Sequence, residues 1–197
     1  MTKDSEILLL EIELFNIDPK IYRQVLIAKD GTFWDLHMAI QDVMGWEDAH
    51  LHAFQVTSDD RQITEIGVPN PDDDMEVQAG WDIPITAFLS KPRKTLRYLY
   101  DFGDSWEHKV TLEKIMVREP EGVYPACVGG ARACPPEDSG GPFGYQYKLD
   151  VLMDQNHEDY ERIQGWMGDD FDAEAFKASS VRFRDSQEVL ASLRVLY

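Results

Sequence analysis

The sequence predicts an α+β fold: a mixed β-sheet with a long β-hairpin, packed by helices, and a helical C-terminal third. Three observations carry the prediction. Residues 96–115, LRYLYDFGDSWEHKVTLEKI, alternate apolar and polar side chains on either side of Gly103-Asp104, the period of two of paired, half-buried strands. Residues 7–57 read in order as strand, strand, helix, strand, the mixed order of an α+β domain. From Tyr145 onward the apolar positions fall at helical spacing.

The individual elements follow from local chemistry. Residues 7–15 and 21–28 are apolar, β-compatible runs, and Asp18-Pro19 between them signals a turn. Thr32 opens a helix with Asp35 three residues on, a capping box with Asp in place of Glu. Phe33, Leu36, Ile40, Val43 and Met44 line its apolar face, and Gly45 ends it. His37 lies beside that stripe and is expected at its boundary. Residues 51–57 return to strand. Residues 63–68 offer a short strand, residues 69–74 a Pro/Asp-rich loop, and residues 81–89 a strand or short helix.

After the hairpin, whose apolar face would be continuous if Phe102 faces Trp106, residues 118–144 read as irregular and dense in Gly and Pro. Such a long connection inside a compact domain is often functional. Tyr145, Leu149, Leu152 and Met153 share one helical face, and Tyr160, Ile163 and Met167 share another before Gly168. Asp172 is placed to cap residues 173–177, and Ser186 to cap residues 187–196. The acidic stretch 154–174 reads as a solvated face, and the five tryptophans mostly as core. No repeat or flexible linker divides the chain, so residues 1–197 are expected to form a single domain.

Composition narrows the function. An apolar share of 43% supports a packed core, and the formal net charge of −18 opposes polyanions. Duplex binding rests on a Lys/Arg surface that displaces counterions. The densest basic group, Lys91, Arg93, Lys94 and Arg97, is small and followed by acids, so direct nucleic-acid binding is not expected. A protein partner, a small molecule or a cation fits better. No apolar run approaches the roughly 20 residues that span a bilayer, and the first residues lack a signal-peptide pattern, so a cytoplasmic location is expected. Cys127 and Cys134 are too few for a disulfide scaffold and too far apart for the usual zinc spacing. They read as buried or half-buried thiols.

The candidate chemistry lies in three places. Asp101, Asp104 and His108, with Trp106 between them, could hold a divalent metal or act as an acid/base group. Asp beside Gly is also ordinary turn chemistry, and His108 falls on the apolar face of its strand, where a hydrogen-bonded core histidine is the common case. His50 and His52 are two residues apart, so a regular strand would point both to one face. With a third ligand such as His108 or Glu137, the pair could ligate zinc or copper. The run Pro135-Pro136-Glu137-Asp138-Ser139-Gly140-Gly141 is stiffened by two prolines and made conformationally versatile by two glycines. Its acids could meet a cation or a partner's arginine, or could serve the dipole of the next helix.

Several of these segments together resemble a known family. IYRQVLI (21–27), TFWDLHMAIQDVMGW (32–46), HLHAF (50–54), YDFGDSWEHKVTLEKI (100–115), YPACVGGARACPPEDSGG (124–141) and GYQYKLDVL (144–152) are similar to the plasmid pRiA4b ORF-3-like family of bacterial and archaeal proteins. The likeness runs from about residue 7 to about residue 184. Residues matching the family pattern include Asp35, His37, His50, His52, Asp101, Gly103, Asp104, Trp106 and His108, and Pro135 to Asp138 with Gly140 and Gly141. The resemblance implies an α+β fold with a mixed sheet and supplies no established catalytic residue. Some members carry a resolvase label because they accompany mobile elements. A resolvase needs a nucleophile, an arginine cluster for the phosphate and a basic DNA-binding segment, and no such group is recognisable here.

The function expected is a non-enzymatic binding or interaction module, in the setting of a mobile genetic element. The alternative is a metal-dependent hydrolase or phosphotransfer enzyme using His50, His52, Asp101, Asp104, His108, Glu137 and Asp138. No cofactor follows from the sequence beyond a divalent metal at these residues.

Overall fold

A computed structural model describes residues 6–57, 61–70 and 77–193. Eight strands form one sheet: β1 (Glu6–Leu14), β2 (Tyr22–Ala28), β3 (His52–Thr57), β4 (Ile63–Gly67), β5 (Val77–Ala79), β6 (Thr95–Tyr100), β7 (Trp106–Val117) and β8 (Ala126–Ala131). Their order is β5-β4-β3-β6-β7-β1-β2-β8. All pairs are antiparallel except β4 with β5, so the sheet is mixed. The helices are α1 (Phe33–Met44), α2 (Gly141–Leu152), α3 (Tyr160–Met167) and α4 (Ser186–Leu193). No helix among the described residues is long and apolar enough to cross a membrane.

The capping box at the start of α1 forms as the sequence implies. Thr32 Oγ1 accepts from the Asp35 N–H while Asp35 Oδ2 accepts from the Thr32 N–H, and Gly45 closes the helix in the left-handed conformation at φ 82°. That helix presses Phe33, Leu36, Ile40 and Val43 onto the sheet, where they meet Leu10, Ile12, Val25, Phe54, Tyr98 and Val110. His37 is fully buried rather than marginal, because its ring stacks on His52 of β3 and reaches Tyr98 of β6; α1 is covered on a second side as well. There α4 packs Leu190 against Trp34 and Met38, and Trp34 Nε1 donates to the Ser186 carbonyl at 2.7 Å.

The hairpin registers Tyr98 opposite His108 and Tyr100 opposite Trp106. Tyr98, Tyr100, Trp106 and His108 are all essentially inaccessible to solvent. Phe102 does not face Trp106. It sits in the turn and is half exposed, because Tyr100 already occupies the cross-strand position.

Other expectations are corrected by long-range pairing. The stretch 118–144 is not irregular throughout, since it supplies edge strand β8, which pairs with β2 from Tyr22↔Ala131 to Leu26↔Ala126. Its ACVGGA sequence lacks the alternation that marks a strand. Residues 81–89 contain a single 3-10 turn, Ile85–Ala87. Asp172 Oδ1 accepts from the Glu174 N–H in a turn, and residues 173–177 form no helix. The first turn of α4 is capped by Asp185, whose Oδ1 accepts from the N–H groups of Gln187 and Glu188, while the Ser186 hydroxyl turns to Asp35. Met153 is exposed, as are parts of Trp166, whereas Trp34, Trp46 and Trp106 are buried. Residues 71–74 of the expected loop and 194–196 of the expected last helix lie outside the described residues.

Candidate functional site

The β6–β7 turn is shaped by Asp101. Its backbone N–H donates to the Leu51 carbonyl at 2.9 Å, tying the turn to the segment that leads into β3. Oδ1 accepts from the Gly103 and Asp104 N–H groups at 2.9 and 3.3 Å. Asp101 adopts φ 54° and Ser105 φ 56°, a region that L-residues seldom occupy and that short polar side chains such as Asp tolerate best. With Oδ1 so engaged, the second oxygen of this buried carboxylate points toward His50, with Oδ2 3.7 Å from Nε2.

The 135–141 loop meets the same turn. Asp104 Oδ2 accepts the Gly140 N–H at 2.8 Å. The Pro135 carbonyl is held by Trp46 Nε1 at 2.9 Å, and the Ser139 carbonyl by Lys148 Nζ at 2.9 Å. Ser139 itself is buried, with its hydroxyl on the Pro136 carbonyl. Asp138, Gly140 and Gly141 all have positive φ, at 57°, 80° and 69°. Backbone held in sparsely populated regions clusters where a site must be preshaped.

These two loops surround His50 with carboxylates. Asp138 Oδ1 lies 3.2 Å from His50 Nε2, and Glu137 Oε2 lies 3.9 Å from it. Glu137 Oε1 is engaged by the Glu47 N–H and by the Tyr100 hydroxyl, each at 2.9 Å, whereas Glu137 Oε2 is buried without a hydrogen bond. Burial, followed by the bond to Glu137, pushes the Tyr100 phenol well above its usual range, so it remains a donor. His50, Asp101 and Asp138 offer one ligand atom each within 4.8 Å of one another. In a tetrahedral zinc site, bonds of about 2.0–2.2 Å set neighbouring ligand atoms roughly 3.3–3.6 Å apart, close to the spacings around Nε2.

The structure separates residues that the sequence groups. His50, His52 and His108 do not share a ligand point among the described residues. The chain bends between His50 and β3, which begins at His52, so the two side chains do not follow the alternation of a regular strand. His52 instead stacks on His37, with ring centroids 3.5 Å apart and planes 9° apart. His108 is sealed in the interior, its Nδ1 3.1 Å from the Trp106 carbonyl, and burial lowers its pKa to about 3. Trp106 is likewise core.

A second polar group lies behind the first and was not legible as a unit. Gln41 Nε2 donates to the Tyr98 hydroxyl, which lies 2.9 Å from His37 Nδ1, while His37 Nε2 lies 2.9 Å from Asp48 Oδ1. Burial drives His37 to about 3 and His52 well below its ordinary value. A neutral His37 donating from Nε2 to the Asp48 carboxylate and accepting at Nδ1 from Tyr98 satisfies every bond in the chain. Both nitrogens of His37 are thereby used, so its ring has no lone pair free for a metal. His37, His50 and His52 stand in the sequence, but nothing in spacing alone reveals that Asp48 and Tyr98 join the first and Tyr100 supports the second.

Residues 6–180 match the family described as Plasmid pRiA4b ORF-3-like protein. The chain belongs to this family. The ORF-3-like protein is also 31% identical over 182 residues to a Sinorhizobium fredii (strain NBRC 101917 / NGR234) protein named "Uncharacterized protein y4hQ", covering 90% of this chain and 89% of that one. Among solved structures it resembles a Methanosarcina mazei Go1 protein, titled protein of unknown function MM3350, with a TM-score of 0.84 and 39% identity over 91% of this chain and 99% of that one. The α+β fold, the mixed sheet and the membership are therefore secure, and the relatives' names carry no activity across.

Proposed function

We propose that this ORF-3-like protein is a binding module that holds a divalent cation at the His50 corner and presents it, with the acidic loop, to a partner. The observation that carries this reading is the set of carboxylate oxygens aimed at His50 Nε2. Asp101 Oδ2 and Asp138 Oδ1 accept no hydrogen bond from protein N–H or O–H groups among the described residues. Glu137 Oε2 is buried and unbonded. One imidazole cannot satisfy three carboxylates, whereas a divalent cation bound by His50, Asp101 and Asp138 would, with Glu137 beside it. Imidazole with carboxylate suits zinc or manganese better than calcium. The family name supports a plasmid or mobile-element setting for the module, and the half-buried free thiols of Cys127 and Cys134 suit a reducing cytoplasm.

Calorimetric titration of chelator-treated protein with zinc and with manganese tests the reading. One saturable site is expected, weakened at least roughly tenfold in Asp138→Asn. A protein that takes up neither ion, or a variant that binds as well as the parent, would rule the cation out.

A second reading is a metal-dependent hydrolase or phosphotransfer enzyme, favoured by the 76% exposure of the Asp138 side chain. An exposed ligand leaves coordination positions open to water, and a bound ion would lower that water's pKa. Hydrolysis of phosphate and carboxylate esters by the metal-loaded protein, lost in His50→Ala, is its test.

A further inference from the structure

A buried cation stands apart from the His50 corner. Arg23 is 2% exposed, yet among the described residues no carboxylate pairs with it. Nε donates to the Val43 carbonyl at 2.9 Å, and Nη1 donates to the Tyr22 and Ala131 carbonyls at 2.8 and 2.9 Å. Nη2 makes no hydrogen bond among the described residues. The guanidinium lies 3.9 Å from the centre of the Phe176 ring. A Cβ at Gly130 would come within 2.6 Å of that ring and 3.1 Å of Arg23 Cδ, so the stack is tightly fitted. Buried charges are normally paired, and Arg is the side chain best matched to a planar or tetrahedral oxyanion.

Arg23 lines a cavity of about 740 Å³, open to solvent, which Cys134 and Phe176 also line. Two further cations, Lys177 and Arg182, stand on its exposed rim. Arg182 donates only to the Ser179 and Val181 carbonyls, and Lys177 Nζ has no carboxylate partner among the described residues. The two acids on the wall are already neutralised. Asp42 accepts from Arg184 Nε at 2.6 Å, and Glu174 accepts from Arg132 Nε at 2.8 Å. A chain of net charge −18 thus gathers around one concavity of small-molecule size three cations with no carboxylate partner among the described residues.

We propose that this cavity binds a small-molecule oxyanion, a carboxylate or a phosphate, with Arg23 at its floor and Lys177 and Arg182 at its mouth. The overall charge of the chain disfavours a nucleic-acid backbone as the source. The proposal is independent of the cation at His50.

Calorimetric titration of the full chain with inorganic phosphate, and separately with succinate, tests it. At least one anion is expected to saturate a single site, and which one does identifies the group recognised. Affinity is expected to fall roughly tenfold in a Lys177→Gln/Arg182→Gln double variant, which alters only exposed side chains, and to be lost in Arg23→Met. If Arg23→Met does not fold, the double variant decides alone. Failure of both anions to saturate, or a double variant that binds like the parent, overturns the proposal.

Discussion

Asp104 and Gly141 are in backbone contact: a Cβ built on Gly141 would lie 2.4 Å from the Asp104 carbonyl oxygen. Next to this contact, Asp104 Oδ2 holds the Gly140 N–H. The β6–β7 turn and the start of α2 are therefore locked together by an approach only glycine permits, and the carboxylates around His50 inherit their positions from that lock.

Gly141→Ala should be strongly destabilising, because φ 69° is strained for alanine and the clash is with backbone. The expected loss is about 2–4 kcal/mol. Gly45→Ala is the control: φ is 82° but nothing lies within 4 Å of its Cβ, so only the conformational penalty of about 1 kcal/mol applies. Urea denaturation of both variants measures the difference. Equal losses would show that the Asp104 contact contributes nothing.

Acid should destabilise the protein well before its carboxylates are protonated. His37 and His108 are held at about 3 by burial, and His52 is lowered in the same direction. A histidine whose folded pKa lies below its unfolded value of about 6.5 stabilises the fold above pH 6.5. That contribution is lost as pH falls from about 6.5 toward 3, at up to roughly 1.4 kcal/mol per pH unit for each group. Asp48 is shifted upward by burial and recovers a little near its own titration range. The urea midpoint measured between pH 7.5 and 5 should fall steeply, and His108→Gln should flatten the slope by one proton. A midpoint that does not change with pH over that range would contradict the burial of these rings.

Tyr100→Phe should uncouple the candidate site from the sheet. The hydroxyl donates to Glu137 Oε1 and accepts from the Ala49 N–H at 3.1 Å, so its removal leaves two polar groups short of a partner. A loss of about 1–3 kcal/mol is expected, with weaker zinc or manganese binding, although Tyr100 is not itself a ligand. Unchanged metal affinity would show that Glu137 needs no support from Tyr100.

The hairpin and α1 are legible in the sequence because their signals are local. Strand alternation from Leu96 to Leu112 and the Thr32/Asp35 capping box each lie within a short stretch of chain. Strand β8 is not legible, because Ala126–Ala131 is a strand only by virtue of its pairing with β2. The His50 neighbourhood is partly visible as residue types, but its membership depends on two loops distant in sequence meeting through Asp104 and Gly140, 36 residues apart. His108 looked like a ligand by type and proves to be core, because cross-strand pairing with Tyr98 places it inside. Arg23 gives no signal at all: its neighbours in IYRQVLI read as a plain strand, and only the fold leaves it without a carboxylate partner among the described residues.

Among the described residues one charged pair ties the C-terminal segment to α1, beside the hydrogen bonds of Ser186 with Trp34 and Asp35, and breaking it should loosen that segment. Arg184 donates from Nε to Asp42 Oδ1 at 2.6 Å and from its backbone N–H to Asp42 Oδ2 at 2.8 Å. Its Nη1 and Nη2 reach the Glu47 and Trp46 carbonyls. The Asp42 side chain is only 5% exposed, so Arg184→Met leaves a nearly buried carboxylate without its cation. A loss of about 2–4 kcal/mol is expected, below the full figure for a sealed pair because Arg184 is itself 37% exposed. Amide exchange in Ser186–Leu193 should rise more than in α1, since α4 rests on Trp34 and Met38 through one buried residue, Leu190, flanked by the half-buried Val189 and Leu193. Uniform acceleration across the sheet and both helices would mean that the segment unfolds with the core rather than ahead of it.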